Sequence, residues 1–399
     1  GSEGASPMAV IQNFPSIRSA AQQLLKEAES PLLPEEGSRL KELLQQYEEY
    51  LNRYTERAEE SRNALPGEGN VPAQALEPLD EKAPETARFV LTDEAIGIGT
   101  ASEKYQTNIE AIKTLKTLQK QKRAAGPEEK AKLSRYTGWG GLARAFEEGG
   151  AQSAELKALL TETEYASARG SVLNAHYTPP VVIDAMYRVL SRIGFAGGNV
   201  LEPACGIGHF FGRMPENMRV KSHLHGVELD ELSGRIAKEI YSDAQIQIKG
   251  FEDTHFQDGA FDLAIGNVPF GDYRISDAYG KGFLIHDYFF AAALDKVRPG
   301  GVVAFITSSG TMDKKASHVR EHLARRADLL GAIRLPDMAF KANAGTETTT
   351  DVVFLQKRET LRDDLAALDW IDLAQGEDGL TYNRYFIRHP EMIIGQMRA

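Results

Sequence analysis

The sequence predicts an α/β fold: a doubly wound, mostly parallel, seven-stranded Rossmann-like sheet preceded by an N-terminal helical region. Three observations carry this. Seven short apolar runs alternate with helix-length segments between Val200 and Lys357, the pattern of a parallel sheet with helices on both faces. The first run ends in a glycine turn, and the second ends in an acid, Glu228, 20 residues beyond Gly208. Every loop with distinctive chemistry follows a strand, and ligands of such sheets bind at the carboxyl ends of the strands.

The chain has 399 residues, a soft prior of about two to three domains. With 42% hydrophobic and 26% charged residues, a folded protein is expected. No apolar run approaches the roughly 20 residues that span a bilayer. The polar start, Gly1-Ser2-Glu3-Gly4-Ala5-Ser6, reads as an appended tail rather than a secretory signal. The single cysteine, Cys205, excludes an internal disulfide and a multi-cysteine metal site, and a cytoplasmic setting is expected. The net charge of −11 argues against a nucleic-acid binder only when read globally. Residues 1–90 carry 9 Lys+Arg against 16 Asp+Glu, whereas residues 101–145 carry 10 against 4. That basic segment suits either a phosphate backbone or a solvated helix face.

In chain order, residues 1–64 read as a helical segment. Leu40, Leu43, Leu44, Tyr47, Leu51 and Tyr54 recur at helical spacing. Residues 65–100, with Pro66, Pro72, Pro78 and Pro84, read as a linker. A basic helical region, 101–169, opens with a helix over 101–125 that Gly126-Pro127 stops. Gly138-Trp139-Gly140-Gly141 follows, either a loop near a ligand or DNA or a compact turn with Trp139 in the core. A further helix is expected over 153–168. Thr178 is placed to cap an apolar helix from Val181 to Leu190, with Pro179 and Pro180 in its first turn.

The first strand, Val200-Leu201-Glu202, runs into Pro203-Ala204-Cys205-Gly206-Ile207-Gly208, where glycines permit close backbone approach to a ligand. The second, Leu224–Val227, ends at Glu228-Leu229, where a carboxylate can take a ribose diol. After the third, Gln245–Ile248, Asp253 is either placed to accept from an adenine amine or is a plain loop carboxylate. The fourth strand, Phe261–Ile265, leads into Gly266-Asn267-Val268-Pro269-Phe270. There an amide oxygen, a backbone carbonyl and an aromatic face suit a flat group bearing an NH2; the bland alternative is a proline turn. Strands at Val302–Thr307, Leu329–Leu335 and Val352–Lys357 complete the sheet, with helices at Phe283–Val297 and 313–326. Residues 359–399 read as a C-terminal extension.

Taken together, Tyr177-Thr178-Pro179, Glu202-Pro203-x-x-Gly206-x-Gly208, Glu228, Asp253 and Asn267-Val268-Pro269-Phe270 resemble the gamma-class DNA adenine-N6 methyltransferases, including type I modification subunits, over 170–358. Leu335-Pro336, Phe340 and Asp351–Lys357 resemble that family's closing segment. Gly138-Trp139-Gly140-Gly141-Leu142 and Tyr382-Asn383-Arg384-Tyr385-Phe386 are similar to the methylase part of large phage, plasmid and conjugative-element methylase–helicase polypeptides. The resemblance implies S-adenosylmethionine as methyl donor and the exocyclic amine of a flipped adenine in DNA as acceptor. It implies a cofactor site of Tyr177, Thr178, Glu202, Pro203, Ala204, Gly206, Gly208, Glu228, Leu229 and Asp253, and a reaction site of Asn267, Val268, Pro269 and Phe270. It implies DNA as partner and a fused or separate helicase as a further partner; from the residues themselves, no metal and no membrane are expected.

The sequence departs from the family at Val268, where the family has proline. The backbone carbonyl is kept and the rigidity of proline is lost. The alternatives are a catalytically weak or inactive DNA-binding module of a helicase-containing protein, or a methyltransferase for RNA or a protein glutamine, whose acceptors also carry a planar NH2. His176, His209 and His286 lie near these motifs, and none is assigned as a base.

Overall fold

A computed structural model describes residues 88–94, 96–173, 177–275, 278–279, 283–336 and 349–394. The helices expected within 1–64, most of the linker, His176 and Phe340 lie outside the described residues.

Helix α1 (Ala101–Gln121) starts in a reciprocal cap: the Thr100 hydroxyl accepts from the Glu103 amide, and the Glu103 carboxylate accepts from the Thr100 amide. One face buries Tyr105, Ile109, Ile112, Leu115 and Leu118. The helix ends short of the expected residue 125, because Lys122 turns left-handed at φ 49° and its N–H closes on the Gln119 and Leu118 carbonyls. Pro127 then opens α2 (Pro127–Leu133), in the first turn, where its missing N–H costs nothing. The single helix expected over 153–168 is two, α3 (Ala151–Leu159) and α4 (Glu162–Gly170), because Thr161 with Glu164 caps a new start. The helix after the prolines is α5 (Pro180–Arg192), and here the expected cap is corrected. Pro179 holds the N-cap position with no side-chain cap bond, and Thr178 is buried.

The sheet has seven strands in the order β3-β2-β1-β4-β5-β7-β6. They are β1 (Asn199–Glu202), β2 (His223–Glu228), β3 (Gln245–Ile248), β4 (Phe261–Asn267), β5 (Val297–Ser308), β6 (Ala327–Leu335) and β7 (Thr350–Lys357). All neighbours are parallel except β7, which runs antiparallel to β5 and β6. The expected mostly parallel, doubly wound sheet is therefore found. Central strands are covered on both faces, so β4 and β5 read as continuous apolar runs rather than alternating ones. Helices α6 (His209–Arg213), α7 (Glu216–Arg219), α8 (Glu231–Ile240), α9 (Ile285–Lys296), α10 (Gly310–Asp313) and α11 (His318–Arg326) form the connections. In α9 the run from Ile285 to Leu294 is buried throughout, as befits a helix inside the core rather than on it.

The order of strands reverses between β1 and β4. β2 and β3 lie to one side of β1, while β4 and the rest lie to the other. This leaves a crevice at the carboxyl ends of β1 and β4. Helices α1 to α4 pack over the β1-to-β3 side, with Trp139 and Leu156 in the same core as the sheet. At the far edge, the hairpin β8 (Leu373–Gln375) and β9 (Thr381–Asn383), with α12 (Arg384–Arg388), covers β6. The Ala332 amide donates to the Tyr385 hydroxyl at 3.1 Å and the Ile394 amide to the Arg334 carbonyl at 2.8 Å, which closes an otherwise open strand edge.

Candidate active site

The crevice is a cavity of about 690 Å³. Its floor is the turn after β1. Gly206 (φ 55°) and Gly208 (φ 85°) adopt left-handed backbone there, which a side chain would strain. The Cys205 amide donates to the Val227 carbonyl at 2.9 Å and the Gly208 amide to the Cys205 carbonyl at 2.7 Å. The Gly206 amide donates to Glu228 Oε2 at 2.7 Å, and the Asp230 amide to Glu228 Oε1 at 2.8 Å. The acid at the end of β2 thus ties two strand ends together. Burial raises its carboxyl to about 7, helped by the charge of Asp230 and opposed by the amides it accepts from.

Glu202 ends β1 and is buried. Burial and the neighbouring charge of Glu228 push its carboxyl well up. Its Oε2 has no hydrogen-bond partner among the described residues. Asp230 is spent on structure: its carboxylate caps α8 through the Ser233 amide at 2.8 Å and accepts from the Ser167 hydroxyl at 2.7 Å. Leu229, 75% exposed, offers an apolar side chain at the cavity rim. Tyr177 lies over Gly206, where an added Cβ would meet its hydroxyl at 3.5 Å. Its ring also packs edge-on against His209, centroids 5.0 Å apart. His209 is structural: its Nε2 meets the Ser134 carbonyl at 3.1 Å, and burial lowers its pKa to about 4.

Twelve of the fourteen residues singled out from the sequence line this one cavity. The two outside the lining are Gly208 and Asp253. Gly208 turns the chain behind the floor, where a Cβ would strike the Tyr241 ring at 2.6 Å. Asp253 is exposed at the end of a 3₁₀ turn, Phe251–Asp253, while Phe251 and Glu252 line the cavity. Successive side chains of such a turn are about 120° apart, so one residue of register decides which one faces in.

The other half of the cavity is built by β4, β5 and the start of α9. β4 continues through Gly266 and Asn267, beyond the expected end at Ile265. The ladder then gains one more bond, from the Val268 amide to the Ile306 carbonyl at 3.2 Å. Val268 is buried; Asn267, Pro269 and Phe270 line the cavity with it. The Ile285 amide donates to the Tyr273 carbonyl at 2.9 Å, which ties the loop to α9.

The helical region also reaches this cavity, which sequence reasoning left open. Tyr136, Gly138, Ser167 and Gly170 line it. The Gly-Trp-Gly-Gly run is a compact turn with Trp139 fully buried among Tyr105, Tyr136 and Phe146, and Gly138 lines the cavity. Asn108 on α1 pins that loop, accepting from the Thr137 amide at 2.9 Å and donating to the Gly138 carbonyl. The one usable signal was a glycine-flanked tryptophan. His286, Ser308 and Glu252 also line the site and carry no sequence signature.

Much of the basic character of residues 101–145 is internally paired. Lys113 meets Glu155 at 2.9 Å, Lys116 meets the buried Glu164 at 2.8 Å, and Lys132 meets Glu110 at 3.4 Å. Burial opposes ionisation of Glu164, yet Lys116, the Thr161 amide and Arg235 hold its carboxyl down at about 2. Lys120 is exposed with no ion pair among the described residues. Among those residues there is no cluster fit for a metal, and no helix long and apolar enough to cross a membrane.

The N-6 DNA methylase family profile matches residues 159–379, more than half of the chain. A curated relative, the defense against restriction protein B of Escherichia phage P1, is 32% identical over 195 residues, 47% of this chain and 8% of that protein. The chain therefore spans a small part of the curated relative it matches. Among solved structures, a Listeria monocytogenes protein assigned to the class I S-adenosylmethionine-dependent methyltransferases aligns over 67% of this chain and 89% of its own, at 16% identity and a TM-score of 0.42. The methyltransferase subunit of a type I restriction-modification system from Streptococcus thermophilus aligns over 52% of each chain, at 16% identity and a TM-score of 0.40.

Proposed function

We propose that this chain, which belongs to the N-6 DNA methylase family, moves a methyl group from S-adenosylmethionine to the exocyclic N6 amine of an adenine flipped out of DNA. The observation that carries the reading is a juxtaposition. The Asn267-to-Phe270 segment and the Gly206 turn with Glu228 line one cavity at the point where strand order reverses.

The residues fit the donor. The left-handed turn at Gly206 leaves backbone open beneath Tyr177. Glu228 has lone pairs beyond the two amides it serves, enough for a ribose diol. Glu202 Oε2, buried and unpartnered among the described residues, suits an ammonium. Leu229 and Phe251 give apolar surface for a purine, and Glu252 stands in the lining where Asp253 was expected. S-adenosylmethionine, when bound, supplies an electrophilic methyl on a positively charged sulfur.

The chain's own part is positioning and electrostatics. The base must leave the duplex, because its amine is unreachable in the stack. Phe270 stacks on the ring. Asn267 Oδ1 and the Val268 carbonyl accept the two amine hydrogens, which turns the nitrogen lone pair out of the ring plane and raises its electron density. No strong base is needed, since the amine becomes acidic only as it is methylated. The phage relative's name, a defense against restriction, fits a modification that shields DNA from endonucleases.

The test is transfer of labelled methyl from S-adenosylmethionine to DNA, RNA and protein in parallel, followed by digestion. Label recovered as N6-methyladenine from DNA supports the reading. Label confined to RNA or to glutamine amides moves the acceptor to another planar NH2. Cofactor bound with no label anywhere makes the chain a binding module.

A further inference from the structure

The amine clamp is only half of what a flat base requires. Asn267 and the Val268 carbonyl supply acceptors for the amine hydrogens, but each ring nitrogen beside that amine is itself an acceptor stripped of water in the cavity. The acceptor half therefore needs a donor. His286, in the first turn of α9, is 2% exposed and lines the same cavity as Asn267 and Phe270. Neither of its ring nitrogens has a hydrogen-bond partner among the described residues. His209 shows what a structural histidine looks like here: its Nε2 is held by a backbone carbonyl.

Of the two Asp287 carboxylate oxygens beside His286, one is committed and the other has no hydrogen-bond partner among the described residues. Asp287 Oδ1 stands 3.5 Å from His286 Nε2, while Asp287 Oδ2 accepts from the Leu284 amide at 3.0 Å and from Lys314 Nζ at 2.7 Å. Burial, with Lys314 nearby, lowers the imidazole pKa against the opposing pull of Asp287 and Asp272. The ring is therefore neutral near pH 7, with one N–H and one lone pair. Such a ring can donate to a base nitrogen without bringing a charge into the site.

We propose that His286 donates its N–H to the ring nitrogen beside the target amine, N1 or N7, and so helps determine which base the cavity accepts. This rests on the function proposed above. The contact acts on the base, not on the cofactor.

The test uses the full chain with DNA synthesised from adenine, 7-deazaadenine or 1-deazaadenine. The wild type is expected to lose roughly 10- to 100-fold in kcat/KM on one of the two analogues. His286→Ala is expected to lose a similar factor on adenine DNA and nothing further on that analogue, with S-adenosylmethionine affinity unchanged. His286→Asn, which keeps a donor, is expected to recover part of the loss and guards against a variant that misfolds. Equal wild-type rates on all three DNAs overturn the inference while leaving the function intact. So does an analogue penalty that persists undiminished in His286→Ala. No transfer by the wild type to unmodified DNA removes the function, and this contact with it.

Discussion

The two halves of the cavity are made in different ways. The β1–β2 half is a web of backbone bonds. Amides of Cys205, Gly206, Gly208 and Asp230 are all spent within it, and Glu228 is fixed between two of them. The β4–β5 half presents side chains on a strand end, a loop and a helix start, among them the buried His286. A backbone web suits a ligand that never changes, because it leaves little for sequence variation to alter. A side-chain surface suits an acceptor that differs from one enzyme to the next. Under the proposed function the first half holds the cofactor and the second chooses the base.

That division makes the variants separable. The largest effect is expected for Asn267→Ala, which removes one amine acceptor and should lower kcat by about 10²- to 10³-fold, with cofactor affinity unchanged by calorimetry. Equal loss of cofactor affinity would merge the two halves into one unit.

Next is Glu228→Ala. Losing the hydrogen bonds that two hydroxyls donate to a carboxylate should weaken S-adenosylmethionine binding by about 1.5–3 kcal/mol, while kcat at saturation holds. A folded variant with unchanged affinity would take Glu228 out of the cofactor half. The same residue sets a pH dependence. Burial raises its carboxyl to about 7, so between the ordinary carboxylate range and 7 the folded state holds a proton that the unfolded state has released. Its contribution to stability is therefore full at low pH and is lost as pH rises through 7. Cofactor hydroxyls favour the charged form, so affinity should rise through neutrality with proton release on binding. Glu228→Gln should flatten both trends.

A smaller effect is expected for Val268→Pro. Read from sequence, proline restores the family residue and should preserve or raise the rate. The structure adds a cost, because the Val268 amide donates to the Ile306 carbonyl and proline has no N–H to give. Transfer should be retained with about 1 kcal/mol of stability lost in denaturant titration. A fall in rate as deep as that of Asn267→Ala would mean that the extra rung of the ladder aims the clamp.

The smallest concerns DNA. Lys120→Glu changes charge without breaking an ion pair among the described residues, so it should only flatten the salt dependence of DNA binding, by about one phosphate contact. Lys116→Glu is a poor probe of the same question, because it faces the buried Glu164 with a like charge. Unchanged affinity and salt slope in Lys120→Glu would leave α1 a solvated face.

Much of this was legible from residue order alone. Period, glycine placement and strand-end chemistry are local properties, and they located seven strands, the loops at their carboxyl ends and twelve residues of one cavity. Helix ends were less legible. Thr161 starts a helix through a reciprocal cap and Lys122 ends one through a left-handed turn, and no periodicity announces either; Thr178 reads as a cap yet is buried at the cavity.

What the sequence determined by itself is the architecture and the two motif loops, because a βαβ pattern closes in one hand and brings strand ends to one edge. What only the tertiary structure decided is everything contributed by long-range packing. Gly138 and Tyr136 meet the cavity because α1, α2 and α8 stack. Glu252 faces in and Asp253 out by one step of a tight turn. The lysines of α1 find their carboxylates 42 and 48 residues away. His286 is shut away from water only because α9 is buried to its first turn, and the contact proposed for it depends on that burial.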